Sequence, residues 1–297
     1  GDGDGLDSAR RSARGRDVVI SSRAAADNAE ALLREMWSER DDDDGIGRRN
    51  NHRGSGGVLP DVVTYSSVIS AYAACLDQPY GTDRAGDLLA ELEGLAVREH
   101  GESHTTTRSG SDGSGGRHRH GFRPNATVYN TLLQAYANAG DAPAAETVLR
   151  SMTEKQSSSL GEGGGGPFQN VRANTRTFNV VLNAWSKSKG GDAGGRASKI
   201  LDSMEKMEGP QPDIISYNTV LAAWSKSASV DPAGEGGARG RMIVGRDAAC
   251  EALKLLDRIE RRVRPDVISY NTTIAAFANA ARHDEEGVSM AKEAEVV

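Results

Sequence analysis

The chain is predicted to be all-α, an α-solenoid of stacked helical hairpins with disordered glycine-rich inserts, and three observations predict it. First, one phrase recurs five times: "PDVVTYSSVISAYAAC" from Pro60, "PNATVYNTLLQAYANA" from Pro124, "ANTRTFNVVLNAWSKS" from Ala173, "PDIISYNTVLAAWSKS" from Pro212 and "PDVISYNTTIAAFANA" from Pro265. Second, each phrase carries an aromatic (Tyr65, Tyr129, Phe178, Tyr217, Tyr270) followed seven residues later by another (Tyr72, Tyr136, Trp185, Trp224, Phe277). Aliphatic residues fill the third and fourth places between them, except for Thr273, and this i, i+3, i+4, i+7 stripe is one face of a helix. Third, four of the phrases are followed by a stripe of the form Ala-x-x-h-h-x-x-h, which is a second helix. A hairpin of this size cannot bury both stripes alone, whereas stacked hairpins share one continuous core.

Taken in order, the elements begin with a lone second-type helix at about residues 25–39, from the stripe Ala29, Leu32, Leu33 and Met36, inside a partial repeat and acidic, glycine-rich linker spanning 1–61. Repeats then span 62–125, 126–174, 175–213 and 214–266, and a truncated one spans 267–297. Their first helices start at Val62, Ala126, Thr175, Ile214 and Val267. Their second helices carry Ala85/Leu88/Leu89/Leu92, Ala145/Val148/Leu149/Met152, Ala197/Ile200/Leu201/Met204 and Ala252/Leu255/Leu256/Ile259. Residues 287–294 fit the second stripe poorly. An alanine stands before each second aromatic (Ala71, Ala135, Ala184, Ala223, Ala276), where a neighbouring helix backbone must come close. First aromatics at 65, 129, 178, 217 and 270 are further apart than a bare hairpin needs. The excess is the glycine-rich stretches 101–121, 156–169 and 229–245, expected to be unstructured excursions because they hold too little apolar material to offset the entropy of ordering.

Composition narrows the function. The 297 residues carry a formal charge of -6, so there is no global basic footprint and any nucleic-acid contact must be local. Cys75 and Cys250 are the two cysteines and have no C-x-x-C spacing, which signals neither a disulfide framework nor a zinc site. No apolar run approaches the roughly 18 residues of a membrane-spanning helix, and a soluble protein without a membrane partner is expected. The first residue is glycine, which leaves room for a targeting segment upstream.

The head phrase P-D/N-h-x-T/S-Y-N-T-h-h, with the second stripe behind it, resembles the pentatricopeptide repeat family over residues 62–297 and the helix at about 25–39. The Trp-x-x-Leu-Gly-x-x-Tyr pattern of tetratricopeptide repeats is absent. The resemblance implies a right-handed solenoid that reads single-stranded RNA one base per repeat through two or three side chains. It places base-reading residues at the fifth and last positions of each repeat, giving the pairs Ser66/Asn125, Asn130/Asn174, Asn179/Asp213 and Asn218/Asp266, with Asn271 in the truncated repeat. Helix geometry agrees for the fifth position, which lies about 100° from the core aromatic and so off the buried stripe. By the family's preferences these pairs imply A, then C or U, then U and U. The second position packs on base faces in the family, and here it is Val63, Thr127, Arg176, Ile215 and Ile268. Arg176 departs from the usual aliphatic, although a guanidinium plane stacks on a base. Lys187 and Lys226 stand where the family often places a phosphate-contacting lysine; the corresponding residues elsewhere are Ala74, Asn138 and Asn279. The resemblance further implies transcript processing, stability or translation in a mitochondrion or plastid.

Other features carry less. The run Asp41 to Asp44 lacks the glycine and glutamate spacing of a calcium loop and reads as a solvated linker. His118 and His120 have no ligand at zinc-site spacing. No nucleophile, paired acid or phosphate loop is spaced for catalysis, so neither an enzyme nor a cofactor is expected, nor a metal. The fifth-position asparagines could instead be helix caps, but a residue several positions earlier suits that role better. The alternative to RNA binding is a protein-interaction scaffold, and protein partners through the solenoid or the inserts remain open. A scaffold, however, has no reason to restrict four pairs to Ser or Asn with Asn or Asp.

Overall fold

The structure, a computed structural model, describes residues 22–38, 60–75, 77, 79–105, 121–159, 166–188, 190–228 and 245–294. Asp41 to Asp44, His118, His120 and most of the three glycine-rich inserts lie outside them. All regular elements among the described residues are helices: α1 (22–38), α2 (Val62–Ala73), α3 (Tyr80–Thr105), α4 (Ala126–Ala139), α5 (Ala142–Ser159), α6 (Thr175–Lys187), α7 (Ala193–Lys206), α8 (Ile214–Ser227), α9 (Gly245–Arg262) and α10 (Val267–Ala294). They form two compact units, one of Gly1–Ala135 with Ser151–Arg172, the other of Tyr136–Arg150 with Ala173–Val297.

In the second unit the first-type helices α6, α8 and α10 pack in succession. Helix α7 lies against α6 and α8, and α9 against α8 and α10. This is the stacking of an α-solenoid, and its cause is the predicted pair of stripes. Phe178, Val181, Leu182, Trp185, Tyr217, Val220, Leu221 and Trp224 are buried, as are the whole stripes of α7 and α9. Ala184, Ala223 and Ala276 are buried as well, and at Gly194 of α7 the indole of Trp224 lies so near that a Cβ would sit 2.5 Å from its Cδ2 and Cε3. Helix α4 ends at Gly140, whose φ of 79° is the left-handed conformation that glycine adopts at no steric cost. Asp141 then opens α5, accepting from the Ala144 N–H at 3.0 Å.

In the first unit α2 packs on α3, and α1 joins both through charged and aromatic side chains. Arg34 reaches Glu91 with both terminal nitrogens at 2.6 and 2.7 Å, and Glu30 accepts from Arg84 and from the Tyr72 hydroxyl at 2.8 Å. The Trp37 ring N–H donates to the Tyr65 hydroxyl at 3.1 Å and the ring stacks on Phe122. The Arg84 hydrogen bonds hold the Glu30 carboxyl at about 2, against burial and with help from Tyr72 and Arg34. A folded-state value below the unfolded one means that this carboxylate contributes its full stability above about pH 4.5, and the contribution is lost as pH falls toward about 2. We expect Glu30→Gln to cost on the order of 2 to 3 kcal/mol at neutral pH and to flatten acid unfolding of α1 to α3. Hydrogen exchange of those helices at pH 7, 4 and 2.5 would show it; identical acid sensitivity in the variant would contradict it.

The structure corrects the sequence reading at four places. Helix α3 runs through Thr105 and α5 through Ser159, so the first and second inserts begin later than 101 and 156. Phe168, assigned to the second insert, lies 5.4 Å from the Lys155 ammonium in a described turn. In α1 the buried line is Ala26, Glu30 and Leu33, and Leu32 is 62% exposed, because Glu30 turns inward to meet Arg84 and Tyr72. Last, α10 is one helix to Ala294 that buries Ser269, Thr273, Ala276 and Ala280, while Tyr270, Ile274 and Phe277 are exposed. Its aromatic stripe is only partly covered, the Tyr270 hydroxyl donating to the Glu260 carboxylate of α9 at 3.2 Å.

Candidate nucleic-acid interface

The last residue of each repeat is the N-cap of the next first-type helix. Asp61, Asn174 and Asp213 each form a capping box with the residue three places on, and Asp266 repeats it, accepting from the Ser269 N–H at 2.8 Å. Asn125 caps α4 differently, taking the Thr127 and Val128 N–H groups at 3.0 and 3.2 Å, because Val128 has no hydroxyl to return. The sequence assigns Asn125, Asn174, Asp213 and Asp266 a base-reading role by resemblance and puts the cap several positions before the fifth-position asparagines without naming these residues for it. The D/N-x-x-S/T spacing was the available signal.

Two of the pairs are brought together in the second unit. The Asn179 amide donates to Asp213 Oδ1 at 3.2 Å, and its carbonyl accepts from the Ser216 hydroxyl at 2.6 Å. One repeat later Asn218 donates to Asp266 Oδ1 at 3.0 Å and accepts from the Ser269 hydroxyl at 2.7 Å. Burial opposes ionisation of Asp213, but the hydrogen bonds from Ser216 and Asn179 outweigh it and hold the carboxyl below its usual range. The Ser269 N–H and the Asn218 amide lower the Asp266 carboxyl likewise. Both aspartates are therefore acceptors at neutral pH.

The other residues stand as follows. Asn130 and Asn174 belong to different units; Asn174 accepts from the Thr177 N–H at 3.0 Å, and the buried Asn130 Oδ1 has no hydrogen-bond partner among the described residues. Ser66 is half-buried on α2, and Asn271 is exposed on α10. All five second-position residues are exposed on the first turn of their helices: Val63, Thr127, Arg176, Ile215 and Ile268. Apolar side chains exposed beside a polar pair, at 60% for Ile215 and 59% for Ile268, are a flat surface on which a ring can lie. Lys187 and Lys226 are exposed at the ends of α6 and α8, and the Lys226 ammonium donates to the Ser186 carbonyl. Asn279 occupies the Lys226 position and makes the equivalent bond, to the Ser225 carbonyl at 3.0 Å. Among the described residues no three His, Cys, Asp or Glu side chains gather to hold a metal, and no helix is long and apolar enough to cross a membrane.

Paired helices stacked in register, each first-type helix opened by a capped Asp or Asn, define a helical-repeat protein. Residues 117–158 match the profile of the pentatricopeptide repeat domain. A pentatricopeptide repeat-containing protein of Arabidopsis thaliana is 30% identical over 99 residues, 33% of this chain and 14% of that protein. Over these stretches the chain is similar to pentatricopeptide repeat proteins. It spans only a small fraction of that relative's length. Among solved structures, the repeat protein PPR10 in complex with an 18-nt psaJ RNA element is 20% identical at a TM-score of 0.33, over 90% of this chain and 38% of that one. PPR10 from maize is 17% identical at 0.26, over 80% and 49%.

Proposed function

We propose that the chain binds single-stranded RNA sequence-selectively, one base per repeat, and serves RNA processing, stability or translation in a mitochondrion or plastid. The observation that carries this reading is the recurrence of one polar arrangement, Asn179 with Asp213 and Asn218 with Asp266, each beside an exposed second-position side chain. With one amide N–H engaged by the aspartate, each Asn keeps a second N–H and a carbonyl lone pair, the two complements a pyrimidine edge requires. The likeness of residues 117–158 to the pentatricopeptide repeat domain supports the same reading. The repeat frame is 62–125, 126–174, 175–213, 214–266 and 267–297, with Ser66/Asn125 on A, Asn130/Asn174 on C or U, and the two Asn/Asp pairs on U; Asn271 opens a fifth position. Lys187 and Lys226 attract the phosphates.

The test is a titration of the chain at low salt with a short RNA containing A-Y-U-U, presented single-stranded and as a duplex. Selective binding of the single strand, weakened by substituting any of the four bases, is the expected result. Equal affinity for strand, duplex and scrambled sequence would leave the protein-scaffold reading in its place.

A further inference from the structure

We propose that Ser216 and Ser269 are positioning residues, each fixing which way the base-facing amide of the preceding repeat points and thereby its choice between uracil and cytosine. The inference rests on the RNA-binding reading and adds a third member, contributed by the next repeat, to each pair. The geometry is the same twice. Ser216 Oγ is 2.6 Å from Asn179 Oδ1 and 2.8 Å from Asp213 Oδ1; Ser269 Oγ is 2.7 Å from Asn218 Oδ1 and 3.0 Å from Asp266 Oδ1. Each hydroxyl has one proton and lies nearer the amide carbonyl. Each aspartate is already supplied with donors by the serine N–H and the asparagine amide.

The proton therefore goes to the asparagine. Asp holds the NH2 end of the amide and Ser holds its carbonyl end. Turning the amide over would set its carbonyl against a carboxylate oxygen and lose the hydroxyl bond. The order of the edges matters because uracil offers an N–H between two carbonyls, whereas cytosine offers a bare ring nitrogen beside an amino group. An amide free to turn end for end satisfies both bases, and a fixed one favours one of them.

The chain itself shows which residues the place tolerates. Thr64 and Thr177 occupy it with a hydroxyl, and buried Val128 occupies it without one. Thr and Val have nearly the same shape, so the pair Ser269→Thr and Ser269→Val separates the hydroxyl from packing. With the full chain and RNAs differing only at the fourth base, we expect Ser269→Val to lower the U-to-C affinity ratio by about three- to tenfold, the worth of one hydrogen bond. Ser269→Thr should keep the ratio. A ratio unchanged in Ser269→Val, against a wild type that prefers U, would overturn the proposal.

A second readout needs no RNA. The Asn218 side-chain NH2 should exchange slowly with water, by NMR, in wild type and Ser269→Thr, and clearly faster in Ser269→Val. Signals alike in all three would overturn the positioning role. Protected signals in a chain that binds all four bases equally would support the positioning and refute base reading, so the two failures are distinguishable.

Discussion

Trp224→Ala is expected to lower the unfolding free energy of the second unit by about 3 to 5 kcal/mol, the usual cost of deleting a buried aromatic from a core that closes only partly around the void. The ring is buried on α8 against α7, and its N–H donates to the Ser198 hydroxyl at 2.8 Å, so truncation removes apolar contact and leaves a polar partner unmatched. Gly194 gives an internal control. A methyl there would press on the indole at 2.5 Å, and the rigid ring has no flexible end to move. Gly194→Ala should therefore cost about 1 to 3 kcal/mol in the native background by overpacking. In the Trp224→Ala background it should be neutral or stabilising, since the methyl then meets a void and alanine is the better helix former by about 1 kcal/mol. Urea unfolding followed by circular dichroism measures all three variants. A loss below about 1 kcal/mol for Trp224→Ala would mean that the helix faces are assigned wrongly.

What was legible in the sequence was the phase of α2, α4, α6 and α8, because a 3.6-residue stripe depends only on the chain itself. Tyr65, Tyr129, Phe178 and Tyr217 are buried where the stripe places them. What covers a stripe is a property of its neighbours, and there the reading failed. Tyr270 and Phe277 carry the same spacing as their counterparts and are exposed; among the described residues no helix follows α10, whereas α9 packs on α8 and α3 on α2. Leu32 looked like a core residue until Glu30 took the inward face with Arg84 as its partner. Helices α3 and α5 extend past the expected loop starts because Gly101 and a run of serines do not end them. A helix interior bears one such residue for about 1 kcal/mol or less, and only proline would have stopped it.

The candidate site was legible as positions and illegible as a network. Spacing located Asn179, Asn218, Asp213 and Asp266 once the family frame was set, but sequence distance conceals that the partners of Asn218 are 48 and 51 residues away. The serines stand at the third position of their repeats, outside the second, fifth and last positions that the family frame marks, and nothing within one repeat shows that this residue reaches the asparagine of the repeat before it. In the structure it serves both the cap and the amide.

Asn218→Thr is expected to move base preference at the fourth position from U toward G and to leave the other positions alone. The asparagine that fits a uracil edge is replaced by a shorter hydroxyl that leaves space for a purine, while Asp266, held ionised by its hydrogen bonds, is released from the Asn218 amide and becomes an acceptor for a purine N–H. A matched contact is worth on the order of 1 to 3 kcal/mol by analogy with mismatch costs at protein–DNA sites, so the swing is about ten- to a hundredfold.

The most direct measurement is therefore a set of dissociation constants for wild type and Asn218→Thr against four RNAs of the form A-Y-U-N, with N each of the four bases, at low salt where a few repeats bind measurably. Base reading by the paired residues predicts U first for wild type and G first for the variant, with overall affinity within a few-fold. Four equal constants for wild type, or a variant that weakens all four alike with its order of preference unchanged, would contradict it.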